Sequence, residues 1–412
     1  MKIKLINLIM LLLVSMSSSS AVFDVNNFAD RIDVNPGDGV CEATAALGDC
    51  TLRAAINETN ALIGNDTINL PEGTFVLSIS GIDDSALMGD LDSTFVDLTI
   101  SGAGINQTII DGGGIDRIFH FSQSNVTLED LTLQNGGDEM ATNLGGAILY
   151  NGTLSEQLIL NRVKVDSNRS NAGAGMYIVG TFENYAQVSI IDSVFSNNST
   201  TELGATNRLG PAIFCISCDL KAKAMTISEN GIGGKAIRIE KGSLEMINST
   251  ISHNQEGGVR STNADILIKF STFFENGAQD LSFFSFDDSH VFQVGYSVLQ
   301  TSTTDNCQSG DLPVSLGYNV TSDSSCEFTM IGDAQSTDAQ LGLLANNGGL
   351  SQTHLPAMTS PLINQVPLAE CLDNTGVALI QDQRGFDRPV ETLCDIGAVE
   401  VNNHVIFRNG FE

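Results

Sequence analysis

The middle of the chain alternates short apolar runs with turns rich in Asn and Gly. One pattern recurs in Leu131-Thr-Leu-Gln-Asn-Gly136, Val163-Lys-Val-Asp-Ser-Asn168, Ser193-Val-Phe-Ser-Asn-Asn198 and Met225-Thr-Ile-Ser-Glu-Asn230. It continues in Ser249-Thr-Ile-Ser-His-Asn254 and Ser271-Thr-Phe-Phe-Glu-Asn276, and decays in Ser297-Val-Leu-Gln300. The equivalent apolar positions Leu133, Val165, Phe195, Ile227, Ile251, Phe273 and Leu299 are separated by 32, 30, 32, 24, 22 and 26 residues. Each run is a strand that enters a turn. A second apolar run follows in most units, as in Gly145-Gly-Ala-Ile-Leu-Tyr150, Pro211-Ala-Ile-Phe-Cys215 and Lys235-Ala-Ile-Arg-Ile239. Two or three short strands per repeat of this length predict an all-β protein, a right-handed parallel β-helix. One coil cannot bury its own apolar face, so stacking must supply the core and the ends must be capped.

Strand alternation then orients the second runs. With Ile148, Met176, Ile213, Ile237, Val259 and Leu281 inward, Leu149, Tyr177, Phe214, Arg238, Arg260 and Ser282 point outward in one column. The sequons at Asn106, Asn125, Asn198 and Asn248 fall in or near the turns. Asn suits turn geometry and can ladder between coils, so these are expected to be structural.

Composition narrows the partners. The 412 residues are 42% hydrophobic, enough for a substantial core, and carry a formal charge of −30. Such a chain has no general attraction to nucleic acid or anionic membranes. Lys2 and Lys4 precede an apolar Leu5–Val14 and the small residues Ser19-Ser20-Ala21, a pattern that predicts a signal peptide over 1–21. No other apolar run reaches membrane-spanning length, so the mature chain is expected to be secreted or surface-exposed without a transmembrane segment. Export permits disulfides. The eight cysteines fall in close pairs: Cys41 with Cys50, Cys215 with Cys218, Cys307 with Cys326, and Cys371 with Cys394. Sequential pairing closes the shortest loops, so these four bridges are expected, the second less firmly because only two residues separate its partners. Cys215-x-x-Cys218 also fits a redox motif or half a metal site, although no second such motif or nearby His accompanies it.

Two flanking segments carry a resemblance. Asp33-Val-Asn-Pro-Gly-Asp-Gly-Val-Cys41 and Cys50-Thr-Leu-Arg-Ala-Ala-Ile-Asn-Glu-Thr-Asn60, with Gly89-Asp-Leu-Asp92 and Leu98-Thr-Ile-Ser-Gly-Ala-Gly104 downstream, resemble the CSLREA domain. Asn347-Gly-Gly-Leu-Ser-Gln-Thr-His354, Asp382-Gln-Arg-Gly385 and Cys394-Asp-Ile-Gly-Ala398 resemble the choice-of-anchor Q domain. The resemblance implies a bacterial secreted or surface β-helix protein and assigns no catalytic residue. It divides the chain into the leader 1–21, a CSLREA-like cap with first coils over 22–96, repeats over 97–300, C-terminal coils with the Q-like segment over 301–400, and a tail over 401–412. The tail, ending Ile406-Phe-Arg-Asn-Gly-Phe-Glu412, has no sorting motif, so covalent wall anchoring is not expected. Leu52, Ala55, Ile56 and Leu62 fall near helical spacing after Thr51 or Cys50 as N-cap, predicting a short helix that caps the first coil. Arg53 and Glu58 in it are expected to be structural.

The standard catalytic and nucleotide-binding motifs are absent from the sequence. The histidines, His120, His253, His290, His354 and His404, are scattered, and His253 reads as a solvated turn residue. Asp83, Asp84, Asp90 and Asp92, and separately Asp33, Asn35 and Asp38, form acidic groups that Ca²⁺ would suit. Neither has the calcium-loop spacing, so solvated loops without a metal are expected. Seven basic residues lie between Lys221 and Lys269, and Arg238 and Arg260 should be neighbours about 4.8 Å apart. With Tyr177 and Phe214 they form the candidate ligand-binding face. A stripe of solvated Arg and Lys covering apolar surface explains the same residues. The expected function is binding or adhesion, with polysaccharide or another surface as partner. The alternatives are a polysaccharide lyase or glycoside hydrolase acting on acidic glycans, and a purely structural spacer.

Overall fold

The structure, a computed structural model, describes residues 20–137, 144–153, 155–200, 209–286, 289–308 and 310–401. Most of the leader and residues 402–412 of the tail, with His404, lie outside the described residues. The chain winds as a right-handed parallel β-helix with three strand-bearing faces. On the third face, Phe75, Ile110, Leu133, Val165, Phe195, Ile227, Ile251, Phe273 and Leu299 pair rung to rung. The repeat column from Leu133 to Leu299 is fully buried. On the first face, Ile148, Met176, Ile213, Ile237, Val259 and Leu281 stack in register and are likewise buried. The second face carries Leu128, Leu160, Ile190, Ala222 and Met246 in the same way. Since strand pleating turns every second residue inward, three such columns meet as one continuous core.

Sharp bends connect the faces, and each uses left-handed backbone at equivalent positions. Ser167, Asn197, Glu229, His253 and Glu275 have φ of 58°, 56°, 57°, 55° and 48°. The Asn that follows each of them is buried and has a different task. Asn168 Nδ2 donates to Asn198 Oδ1 at 2.9 Å, Asn198 to Asn230 at 3.1 Å, Asn230 to Asn254 at 2.9 Å, and Asn254 to Asn276 at 2.9 Å. The ladder ends on Asp280, which accepts from Asn276 and Asn306. Asn198 and Asn248 are buried, so these two sequons serve the fold, whereas Asn106 and Asn125 are exposed.

The N-terminal cap is the helix Leu52–Ala61, with Thr51 as N-cap accepting from the Ala54 N–H. Leu52, Ala55 and Ile56 join the core. Arg53 is fully buried, paired with Asp30 and donating to the carbonyls of Ala86, Gly89 and Asp90. Glu58 receives the N–H groups of Gly37 and Gly39. Both residues stitch the cap together.

All four sequential disulfides are formed, and each closes a local loop. Cys41 bridges to Cys50 just ahead of the cap helix, and Cys215 bridges to Cys218 within one strand run of the coil. The redox and metal readings of the Cys-x-x-Cys pair give way to a structural bridge, since both cysteines are fully buried in the core. Cys307 bridges to Cys326 across the last coil, where both side chains join the main core. Cys371 bridges to Cys394 inside the C-terminal segment and belongs to its separate apolar cluster.

The C-terminal part differs from the expected further coils. The paired strands of the third face end at Val320–Thr321, with one last parallel bridge from Val320 to Ala334, and the segment beyond folds back along that face. Its hairpin pairs Leu341–Ala345 with Thr353–Pro356. Thr226, Thr250 and Thr272 form an outward column that would leave a polar, half-dry surface. The returning segment supplies partners: Gln352 O accepts from Thr226, Gln383 Oε1 from Thr250, and Thr272 Oγ1 from the Ala398 N–H. Gln352, Gln383 and Ala398 thus dock this segment on the coil. Arg388, fully buried, ties Glu400 and Gly397 O to Asn248 of the coil.

Candidate functional site

The outward residues that follow the buried column of the first face fall in one registered column. From the N-terminal end it runs Asp92, His120, Leu149, Tyr177, Phe214, Arg238, Arg260 and Ser282. Arg238 and Arg260 are rung neighbours, as the alignment of the runs required. Their surroundings differ from the expected open stripe. Tyr177 and Phe214 are only 8% and 7% exposed, packed edge to face with ring centroids 5.1 Å apart and covered by Ala172 and Leu209. Outward aromatics on adjacent rungs lose less by burying one another than by facing water. They are therefore no sugar platform. Arg238 is 4% exposed, lies over the Phe214 ring at 5.4 Å and is hydrogen-bonded to Glu240. Its stem and head both cover apolar surface.

Beyond Arg238 the column opens into a cleft of about 520 Å³, lined by Arg238, Glu240, Lys241, Arg260, Phe284 and Phe286 among others. The Arg260 guanidinium stands over the Phe284 ring at 4.5 Å. Lys241, at a left-handed turn with φ 65°, is exposed and sits over Phe182 at 4.8 Å. Phe286 and Phe182 are 83% and 78% exposed. The Phe286 N–H is held by Asn263 Oδ1 at 2.9 Å. Among the described lining residues three cations face one carboxylate. Lys235 lies on the same coil but is turned inward. Its ammonium donates to Gln279 O at 2.6 Å, and burial pulls its pKa down to about 8.

The other end of the column holds a pair that the repeat pattern alone does not mark. His120 Nδ1 lies 3.0 Å from Asp92 Oδ1, and His120 Nε2 lies 3.0 Å from the Asn151 side-chain amide. Asp90 faces Arg117 at 2.5 Å, and burial among carboxylates pushes its pKa up to about 7. Asp90 and Asp92 are 3% and 2% exposed, and Asp33 is buried as well, accepting from the Asn35 and Glu42 N–H groups. The expectation of solvated acidic loops is corrected for these three. The helix and the bends around it close over them. Asp83 and Asp84 remain on the outer bend, Asp83 accepting from the Ser85 N–H. Asn35 and Asp38 hydrogen-bond each other in an exposed turn.

His354 and His253 meet at Ser252. His354 Nδ1 donates to Gly342 O at 2.7 Å, so its Nε2 accepts from the Ser252 hydroxyl at 2.8 Å. Ser252 in turn receives His253 Nδ1 at 2.6 Å. Ser252 and His354 are sealed from solvent, and burial lowers the His354 pKa to about 4. A nucleophile needs access, so this arrangement is a lock and not an active site. His253 is an exposed turn residue whose ring also rests against Phe274 and His354. Among the described residues no helix is long and apolar enough to cross a membrane.

No family model matches the chain, and no curated protein matches it. Among solved structures it is similar to the pectate lyase Pel9A, with 11% identity and a TM-score of 0.43 over 93% of this chain and 98% of that one. It is also similar to the A-module of the mannuronan C-5 epimerase AlgE6 of Azotobacter vinelandii, with 16% identity and a TM-score of 0.35 over 73% of this chain and 86% of that one. A third is the catalytic unit of the GH87 alpha-1,3-glucanase of Streptomyces thermodiastaticus strain HF3-3, with 14% identity and a TM-score of 0.33 over 77% and 66%. At these values the likenesses carry no argument about chemistry.

Proposed function

We propose that the mature chain is a secreted or cell-surface protein that binds an acidic extracellular polysaccharide in the cleft formed by Arg238, Lys241, Arg260 and Phe286. One observation carries this reading: three cations and the exposed Phe286 ring line one open cleft in a chain of net charge −30. A local positive field against a negative background selects spaced carboxylates or sulfates at short range and repels other anionic surfaces. Guanidinium forks suit carboxylates, and the exposed Phe286 ring offers a face to sugar. Export is supported by the leader pattern and by four disulfides, which belong to an oxidising compartment. The head and tail motifs support a place among proteins with a CSLREA head and a choice-of-anchor Q tail.

A second reading, a lyase or hydrolase of acidic glycans, is favoured by the Asp92–His120 pair on the same outward column. Calorimetry with polygalacturonate, alginate and a sulfated glycan tests binding, and product analysis on the same mixtures tests turnover. Binding that weakens at least tenfold in the Lys241→Gln/Arg260→Gln double variant supports the proposal. Equal binding by that variant defeats it, turnover selects the enzyme, and no binding to any glycan leaves the inert spacer.

A further inference from the structure

We infer that Asp84, Asp92 and His120 form a binding site for one divalent transition-metal ion, of the Zn²⁺, Mn²⁺ or Co²⁺ class, at the N-terminal end of the outward column. One carboxylate oxygen from each Asp and a ring nitrogen of His120 all lie within 4.8 Å of one another. His120 Nδ1 and Asp92 Oδ1 are already 3.0 Å apart, the separation of two ligands on one ion with bonds of about 2.1 Å. Asp92 and His120 stand on adjacent rungs and are fixed by the sheet. Asp84 is exposed on the bend above them, so it can close the short remaining distance.

Two further observations separate this from an ordinary acidic patch. His120 is held at its far nitrogen by Asn151, one rung on and 3.0 Å away. That is the second contact a metal-ligating imidazole needs, since a partner on one nitrogen fixes the ring and aims the other. The amide oxygen and nitrogen of Asn151 are interchangeable by a flip, so Nε2–H can donate while Nδ1 binds the ion. The second observation is the balance of charge. Asp90 and Asp92 are 3% and 2% exposed, Asp84 lies beside Asp92, and Arg117 pairs with Asp90. Buried carboxylates in excess of their cations call for another positive charge.

The donor set selects the ion. Calcium takes six to eight oxygens, whereas an imidazole beside two carboxylates suits the borderline transition ions. Three protein ligands on an outward face leave coordination positions open to solvent. This inference stands independently of glycan binding at the opposite end of the column.

The test is Co²⁺ titration of chelator-treated full-length mature protein, followed by visible absorption and calorimetry. One Co²⁺ per chain is expected, displaced by Zn²⁺ and retained in excess Ca²⁺. Asp84→Asn changes an exposed side chain and should fold like the parent by circular dichroism, yet weaken Co²⁺ binding at least tenfold. His120→Gln should abolish the nitrogen-ligand signature in the spectrum, and Asn151→Ala should weaken affinity about tenfold. The inference is overturned by absence of saturable binding, by displacement of Co²⁺ with Ca²⁺ alone, or by an Asp84→Asn protein that binds as the parent does.

Discussion

Thr250 and Gln383 lie 133 positions apart, and the Thr250 hydroxyl donates to Gln383 Oε1 at 2.6 Å. The same amide donates to Thr226 Oγ1 at 2.8 Å and to Ser351 Oγ at 3.0 Å. One side chain therefore satisfies two rungs of the third face and a loop of the returning segment. Gln383→Leu keeps the volume but leaves buried hydroxyls with fewer partners. It should lower stability by about 2–3 kcal/mol, since each unsatisfied buried group costs about 1–3 kcal/mol. Equilibrium urea unfolding measures this, and limited proteolysis should cut the 341–401 segment sooner than in the parent. A change under about 0.5 kcal/mol would show that the contact contributes nothing.

His354 makes docking of the same segment depend on pH. Its folded pKa of about 4, lowered by burial, lies below the ordinary value of about 6.5. The unfolded chain therefore binds the proton first as pH falls. The stability held by neutral His354 is intact above about pH 6.5 and is lost progressively toward pH 4, a swing on the order of 3 kcal/mol. Asp280, raised to about 7 by burial, titrates with the opposite sign, because its protonated form is favoured in the fold. Comparing the parent with His354→Gln cancels that contribution. The difference in unfolding free energy between the two should shrink from pH 7 to pH 4. A pH-independent difference would mean that His354 is not titrating on its own.

The ladder offers a third test. Asn230 Nδ2 donates to Phe195 O and Asn254 Oδ1, while its own Oδ1 accepts from the backbone and side chain of Asn198. Asn230→Ala removes a rung from the middle and orphans groups on both sides, so roughly 2–4 kcal/mol should be lost. Asn106→Ala, at an exposed position, should leave the melting curve unchanged. Equal effects at the two positions would refute a load on the buried ladder.

Much of this fold is legible in the sequence because the repeat writes it several times. Ile227 and Ile251 each sit between Thr and Ser two residues ahead of a turn, so alignment of the units fixes rung and face together. The adjacency of Arg238 and Arg260 follows from the same register, and the bridge between Cys307 and Cys326 follows from their nearness in the chain. What covers the column is not written there. Tyr177 and Phe214 face outward by alternation, but the chain that buries them arrives at Leu209, in an insertion with no repeat signal. Asp92 and His120 were within reach of the pattern. Leu91-Asp-Ser93 and Phe119-His-Phe121 show the same apolar–polar start, and carrying the alignment two units back places both residues in the column. The outward Thr226, Thr250 and Thr272 hint at a polar cover, but only the structure shows that Gln352, Gln383 and Ala398 provide it.

The core column gives a direct prediction for Ile227. It is fully buried between Phe195 and Ile251, and Ile227→Ala leaves a cavity that flanking rungs, held by backbone ladders, cannot collapse. A loss of about 2–5 kcal/mol is expected from urea unfolding with an unchanged slope. A loss below about 1 kcal/mol would mean that the site relaxes or that the register is wrong.

Two of the cations lining the cleft should separate stability from binding. Arg238 is 4% exposed, its guanidinium held by Glu240 and laid over Phe214. Arg238→Gln removes that packing and leaves Glu240, whose side chain is one-third exposed, without its cation. Full burial of the abandoned charge would cost about 3–5 kcal/mol, and solvent at Glu240 reduces this to about 1–3 kcal/mol. Lys241 is exposed, and Lys241→Gln should change stability by less than about 0.5 kcal/mol. If the cleft binds a polyanion, however, Lys241→Gln should still weaken binding and flatten its dependence on salt, because an exposed cation acts through the screened field. Replacing Arg238 and Arg260 together would confuse the two effects, since a destabilised Arg238 variant can lose binding by distortion alone. Melting curves and salt-dependent calorimetry on the single variants resolve them. A Lys241→Gln protein with the parent's affinity at every salt concentration would remove that lysine from the site.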